Sequence, residues 1–183
     1  METHYPTVLS NTTQILSKRT PIPEIPTAKT CAGHLRKLGP GKQVFYMSVT
    51  HEAASHYARK IGGGLIGEAD TGDGWGRMEG GPFKERALRE IRDLPTWTDA
   101  ELEQAIQALS NGFALNAEGD VVVVLPYDNP NPASHWWGEF EVLKKNPKVD
   151  KILAFDMKNP AAEPQGSPRE LWPKPQAKTE HAG

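Results

Sequence analysis

The stretch that most constrains this chain is GDVVVVLP, Gly119 to Pro126, in which four consecutive valines lead into leucine. A strand with one wet face alternates apolar with polar residues, whereas a strand covered on both faces is apolar throughout. This run lacks the alternation, and its β-branched residues favour an extended backbone. It therefore predicts a central strand in a sheet that is covered on both faces.

Strands and helices alternate around this central strand. Short apolar runs predict a first strand in KQVFYMSV, Lys42 to Val49, and a last strand in DKILAFD. Apolar spacing and capping residues predict helices in THEAASHYARKI, PFKERALREIRDL, TDAELEQAIQALSNGFA and SHWWGEFEVL, with a glycine-rich loop from Asp70 to Pro82. The pattern predicts an α/β fold with a largely parallel central sheet flanked by helices. Binding sites in such folds gather at the carboxyl ends of the strands.

The two ends of the chain differ from its middle in composition. Residues 1–28 carry four prolines and few large apolar groups, which predicts an extended N-terminal arm. Residues 159–183 are rich in proline and polar side chains, which is typical of a disordered tail. We therefore expect a single working domain over residues 29–158.

Composition and charge exclude several classes of protein. With 183 residues, 37% of them hydrophobic, and a net charge of -2, the chain fits one domain and lacks the basic surface that duplex nucleic acid requires. No apolar run approaches the roughly 20 residues of a membrane span, and the first residues do not resemble a signal peptide. Cys31 is the single cysteine, and no Cys/His cluster has the spacing of a metal site. We expect a soluble, metal-free protein of the cytoplasm, or one delivered into a target cytoplasm.

The predicted helix SHWWGEFEVL contains two glutamates beside two tryptophans. Trp136, Phe140 and Leu143 share one face, which would pack on the sheet. Trp137 and Glu141 share a neighbouring face, and Glu139 points elsewhere. One interpretation is a surface helix in which Glu141 pairs with a lysine one turn on. The other is a carboxylate that stabilises positive charge while an indole holds a flat ring.

Two segments resemble the ADP-ribosyl cyclase family, which comprises NAD glycohydrolases and cyclases. The segment SNGFALNAEGDVVVVLPYD, followed by WWGEFEVLKKN, is similar to that family's helix, Asp-Val-Val strand and aromatic residue shortly before the catalytic glutamate. Upstream, FYMSVTHEAASHYARKIGGGLIGEADT is similar to the family's other pattern, a serine opening a helix followed by a Leu-Glu turn. The two segments lie in the family's order and span most of residues 42–156.

The resemblance implies a site and a reaction. Glu141 matches the catalytic glutamate, Glu68 matches the acid that contacts nicotinamide, and Ser48 matches the serine beside the nicotinamide ribose. NAD is then the substrate rather than a bound cofactor, and no metal is needed. The fold would be ADP-ribosyl cyclase-like, and the expected products are nicotinamide and ADP-ribose, with water as the acceptor.

Further residues are expected to bind the substrate. Met47 stands where the family often has a tryptophan, and Tyr46 is its aromatic neighbour. Trp75 or Trp137 would supply the second aromatic wall, and Ser134 lies one turn before Trp137. The diphosphate is expected at the backbone N–H groups near Ser48, where a helix begins.

Two other functions stay open at this stage. One is a nucleotide-binding or interaction module that keeps the fold without catalysis. The other is an RNase-like toxin in which His51 and His135 act as acid and base. Because depletion of NAD inside a cell is toxic, an inhibitor or immunity protein is a possible partner of the NAD-cleaving form.

Overall fold

The central valine run forms the second strand of one open, four-stranded sheet. The computed structural model describes residues 21–173 and gives four strands in the order β1-β2-β3-β4. Strands β1, β2 and β3 run parallel to one another, and β4 is antiparallel to β3. The strands are β1 (Val44–Tyr46), β2 (Gly119–Pro126), β3 (Val149–Met157) and β4 (Arg169–Trp172).

Helices cover both faces of the sheet. Those of the described residues are α1 (Ala28–His34), α2 (His51–Ile61), α3 (Gly81–Ile91), α4 (Asp99–Leu115) and α5 (Trp136–Lys145). On one face, Val121 and Val123 join a large core that includes residues of α1, α4 and α5. On the other, Val122 and Val124 join a smaller core with the alanines of α2. The predicted α/β layering with a mostly parallel sheet is confirmed, and β2 is buried from Val121 to Leu125.

Local sequence explains where α4 begins and where α2 ends. At the start of α4, the Thr98 hydroxyl accepts the Glu101 N–H while the Glu101 carboxylate accepts the Thr98 N–H, a reciprocal cap. Helix α2 ends at Gly62, whose φ of 64° lies in the left-handed region that glycine adopts without strain. Both boundaries follow from residues visible in the sequence.

Two features differ from the predictions. Strand β4 lies inside the segment predicted to be disordered from residue 159 on, and that prediction is wrong for Arg169–Trp172. Helix α1 begins at residue 28, the last residue of the predicted arm, and was not anticipated. Residues 21–27 have no helix or strand, but the carbonyls of Pro21 and Pro23 accept hydrogen bonds from Arg89 and Trp97. Residues 1–20 of the predicted arm and residues 174–183 of the predicted tail lie outside the described residues.

Within residues 21–173, no helix combines the length and the apolar character needed to cross a bilayer.

Candidate active site

A cavity of about 300 Å³ lies beside the end of β1 and the first turn of α5. Four segments line it: β1 with the turn after it, the loop between α2 and α3, the second half of α4, and the start of α5. Most of the lining is apolar, with a few hydroxyls, one imidazole and one carboxyl group, as in many ligand sites. The lining residues are Val44, Phe45, Tyr46, Ser48, Ile66, Gly76, Met78, Ile106, Leu109, Ser110, Phe113, Ser134, His135, Trp136 and Glu139.

Glu139 is the acid of this cavity. It is 7% exposed, and within residues 21–173 no other carboxylic acid is buried. Burial raises the pKa of Glu139 to about 8, because an apolar surrounding disfavours the charged form. A hydrogen bond with Ser110 of α4 opposes part of this shift. The raised pKa therefore favours the protonated carboxyl group of Glu139 at neutral pH.

Tyr46 connects this acid to a second one. The pKa of Tyr46 is raised, first by burial and then by the negative charges of Glu139 and Glu68. The phenol therefore lies within electrostatic reach of both carboxyl groups. Its ring also meets the His51 ring edge-on, with 5.0 Å between the ring centroids.

A glycine allows the two helices of the site to approach closely. A Cβ atom at Gly138 would lie 2.7 Å from Cδ of Gln107, which is too close for any larger residue without a shift of that side chain. The Gln107 amide donates to Asn111 Oδ1 and to the backbone oxygen of His135. This packing places Glu139, the residue after Gly138, against Ser110.

The first turn of α5 carries an imidazole–carboxylate pair at the cavity. His135 Nε2 lies 3.0 Å from Oε2 of Glu103 on α4. The His135 side chain is 35% exposed and that of Glu103 is 66% exposed, so the pair lies at the boundary between cavity and solvent. The hydroxyl of Ser134, the residue before His135, accepts a hydrogen bond from the Trp136 N–H.

Trp136 forms one wall of the cavity and is 1% exposed. Its ring packs against Phe45 and Phe140, at centroid distances of 5.8 and 5.4 Å. Its Nε1–H is buried without a hydrogen-bond partner. A buried donor of this kind gains free energy when an acceptor reaches it.

The structure does not place Glu141 in the cavity. Its side chain is 59% exposed, and Oε1 lies 2.6 Å from Nζ of Lys144. The expectation of a sheltered carboxylate at this position is wrong, because helix α5 directs residues 136, 139 and 143 inward. Trp137 is also outside the cavity, with 39% exposure and its Nε1 donating to the Asn131 carbonyl.

The other predicted residues divide between the cavity and its surroundings. Ser48, Tyr46 and Ser134 line the cavity. Met47 is 2% exposed and belongs to the core beneath it, and Trp75 is 7% exposed and stacks on His34.

Glu68 does not line the cavity either. Its Oε2 accepts the Leu65 N–H at 2.9 Å, and its backbone oxygen accepts a bond from Arg36. Ile66, two residues before Glu68, is part of the lining. The negative charge of Glu68 contributes to the raised pKa of Tyr46.

Glu139 and Ser110 are the site residues that the sequence analysis missed. One sign of Glu139 was present: it lies three residues after Trp136 and directly after a glycine, both typical of a face that packs closely. Ser110 gave no sign, since a serine in a helix interior is unremarkable. His135 was considered only for an RNase-like reaction.

Metal ligands and known relatives give no further guidance. In the part of the chain that the structure describes, no three or more His, Cys, Asp or Glu side chains group as a metal site would require. Comparison with family models, curated proteins and solved structures finds no match for this chain.

Proposed function

We propose that this chain is a glycohydrolase that cleaves the bond between nicotinamide and ribose in NAD, giving nicotinamide and ADP-ribose. Glu139, rather than Glu141, is the carboxylate that stabilises the ribosyl cation. The observation that carries the proposal is a single buried acid in an otherwise mostly apolar cavity.

The chemistry of this bond matches a lone buried carboxylate. The nicotinamide ring of NAD is cationic, so it leaves as a neutral molecule and needs no proton. The ribose is left with positive charge at C1′, and a nearby carboxylate in a dry site stabilises that charge far more than it would in water. One acid inside the cavity therefore suffices for bond cleavage.

The raised pKa of Glu139 is compatible with this role. A pKa of about 8 favours the neutral carboxyl group at neutral pH. A cationic ring beside it favours the ionised form, so substrate binding lowers the pKa and releases the proton. The charge then appears only when a cation is present to balance it.

The lining offers contacts for the nicotinamide riboside end of NAD. Tyr46 and Trp136 supply aromatic surface for a flat ring, and the hydroxyls of Ser48 and Ser134 can bond a ribose. Ser48 is exposed at the cavity edge, three residues before α2 begins, so the diphosphate would lie outside the cavity near the start of that helix. An ADP-ribosyl cyclase-like arrangement of the sheet and helices is part of the same proposal, and the order of the resembling segments supports it.

Two isosteric substitutions on one helix test the proposal. Purified full-length protein is incubated with NAD, and nicotinamide release is followed for the wild type, Glu139→Gln and Glu141→Gln. We expect the wild type to release nicotinamide, Glu139→Gln to lose at least about 100-fold in rate, and Glu141→Gln to match the wild type.

Each other outcome points to a different conclusion. No release by the wild type overturns the proposal, and tight NAD binding without release favours a nucleotide-binding module. A rate lost in Glu141→Gln and kept in Glu139→Gln returns the catalytic role to Glu141. RNA cleavage that survives Glu139→Gln favours an RNase, although no lysine or arginine lines the cavity of the described chain to hold a phosphate.

A further inference from the structure

We propose that His135, held by Glu103, is the base that takes the proton from the attacking water in this reaction. The inference rests on the proposed glycohydrolase function and divides its chemistry between two groups. Glu139 stabilises the cation inside the cavity, and His135 activates water at the boundary with solvent.

The interface between α4 and α5 arranges polar groups in three consecutive layers. On α4, Glu103, Gln107 and Ser110 follow at i, i+4 and i+7 and so share one face. The outer layer is the pair of Glu103 with His135, near solvent. In the middle layer, Gln107 contacts Gly138 and donates to the His135 carbonyl. The inner layer is the buried pair of Ser110 with Glu139.

The spacing on α5 brings the imidazole and the buried acid to the same cavity. His135 and Glu139 are one turn apart, and the Glu139 N–H donates to the His135 carbonyl at 3.1 Å. Both residues line the cavity. A substrate that places its reacting carbon near Glu139 therefore lies within reach of groups one helical turn away, about 5–6 Å along the axis.

The partner of the imidazole decides which nitrogen is free. A carboxylate only accepts hydrogen bonds, so Nε2, at 3.0 Å from Glu103 Oε2, carries the hydrogen. In the neutral tautomer with this hydrogen, the other nitrogen, Nδ1, has its lone pair available. Gln107 fixes the backbone of the same residue by donating to the His135 carbonyl at 3.1 Å. A neutral imidazole with one nitrogen bound to an acid is the arrangement that general bases use.

The step balances with water as the only co-reactant. Nicotinamide leaves with the electron pair of the C1′–N bond, and the water oxygen forms a bond to C1′. One proton of that water passes to Nδ1 of His135, and the resulting imidazolium is stabilised by Glu103. Because its side chain is 35% exposed, His135 returns the proton to solvent. Glu139 forms and breaks no bond in this step.

A histidine–glutamate pair elsewhere in the chain provides the matched control. His56 Nε2 lies 3.9 Å from Glu52 Oε1 on α2, and neither residue lines the cavity. The experiment compares NAD turnover by full-length wild type, His135→Ala, Glu103→Gln, His56→Ala and Glu52→Gln, with and without sodium azide. Azide is a nucleophile with no proton to lose, so it needs no base.

We expect His135→Ala to lower kcat about 100-fold with little change in KM, and Glu103→Gln to lower it about tenfold. Azide should restore nicotinamide release in His135→Ala and give the ribosyl azide as product. The two α2 variants should keep the kcat of the wild type. Glu103 acts through His135, so azide should also remove the defect of Glu103→Gln, which a purely structural role would not explain.

Other results overturn the inference. An unchanged kcat in His135→Ala shows that no base is needed there, and a loss that azide does not restore assigns His135 to substrate binding or folding. If the wild type releases no nicotinamide, the proposed function fails and the role of His135 fails with it. A wild type that is active together with an unaffected His135→Ala variant removes only the role of His135.

Discussion

Gly138 of α5 packs directly against the side-chain amide of Gln107 on α4. A Cβ atom at Gly138 would lie 2.7 Å from Cδ of Gln107 and 3.2 Å from Oδ1 of Asn111. The same amide donates to Asn111 and to the His135 carbonyl. A side chain at residue 138 would therefore have to displace the amide that holds the backbone at the start of α5.

Replacing Gly138 with alanine should displace the Gln107 amide and separate it from its two acceptors. We expect a loss of about 1–3 kcal/mol in the free energy of unfolding, together with weaker binding at the cavity. Gly33→Ala is the control, because nothing lies within 4 Å of its added Cβ and alanine favours a helix. Urea unfolding of both variants measures the difference, and equal stability of the two would contradict the close contact.

Glu139 should lower the stability of the protein as pH rises. Its pKa is about 8 in the folded protein and its ordinary value is 4.5, so between these values the folded state keeps a proton that the unfolded chain has lost. Stability therefore falls with rising pH across this window and levels off above it. Glu139→Gln removes this dependence, and its advantage over the wild type should grow by on the order of 4 kcal/mol between about pH 5 and pH 9.

The measurement is thermal or urea unfolding of both proteins at a series of pH values. Glu141→Gln serves as the reference, since that side chain is 59% exposed and its replacement should leave the pH dependence of the wild type intact. Parallel stability curves for the wild type and Glu139→Gln would show that Glu139 titrates normally.

Binding of a cationic substrate should release a proton from Glu139. An NAD analogue whose ribose is carbocyclic cannot be cleaved and keeps the cationic ring, so it suits calorimetry with the wild type. We expect its affinity to rise by up to about tenfold per pH unit below pH 8, with release of close to one proton at pH 6.5. Glu139→Gln should bind with a flat pH profile, and a flat profile in the wild type would place the cation away from this acid.

Thr50 holds the turn that carries Ser48. It is fully buried, and its hydroxyl donates to the Val124 carbonyl at 2.6 Å while accepting the Met47 N–H at 3.2 Å. Thr50→Val keeps the shape and removes both bonds, so we expect a loss of about 1–3 kcal/mol in unfolding free energy and weaker binding at the cavity.

Thr71→Val tests whether that loss is specific to the buried hydroxyl. Thr71 is exposed, and its hydroxyl bonds the His34 carbonyl at 3.3 Å and the Asp73 side chain at the surface, so this control should change stability by less than about 0.5 kcal/mol. An equal loss in both variants would show that Thr50 does not hold the turn.

The regular elements of the fold could be predicted because each is decided by its own residues. The valine run of β2 has no stable place except between two covered faces, and the Thr98–Glu101 cap marks the start of α4 without tertiary help. Strand β4 escaped prediction because it is short, only two of its four residues, Arg-Glu-Leu-Trp, are apolar, and it pairs on one side only. An edge strand depends on its neighbour rather than on its own hydrophobicity.

For the candidate site, the sequence predicts the buried side of helix α5 but not the acid that lies on it. The spacing of Trp136 and Leu143 correctly identified the buried side of α5, and both residues are buried. Residues 139 and 140 both lie next to this buried side of the helix. Of the two, the glutamate is the one that is normally expected to face solvent. Glu139 is buried because Ser110 of a different helix faces it, and the spacing of residues within one helix carries no information about its neighbour.

The walls of the cavity come from residues 44–113 and 134–136, while the acid, Glu139, comes three residues later in the first turn of α5. During synthesis the residues that enclose the cavity are therefore translated before Glu139. A chain that stops short of residue 139 contains every other residue of the lining and lacks the one carboxyl group. The carboxyl group that is unfavourable to bury is therefore translated after most of the core residues that bury it.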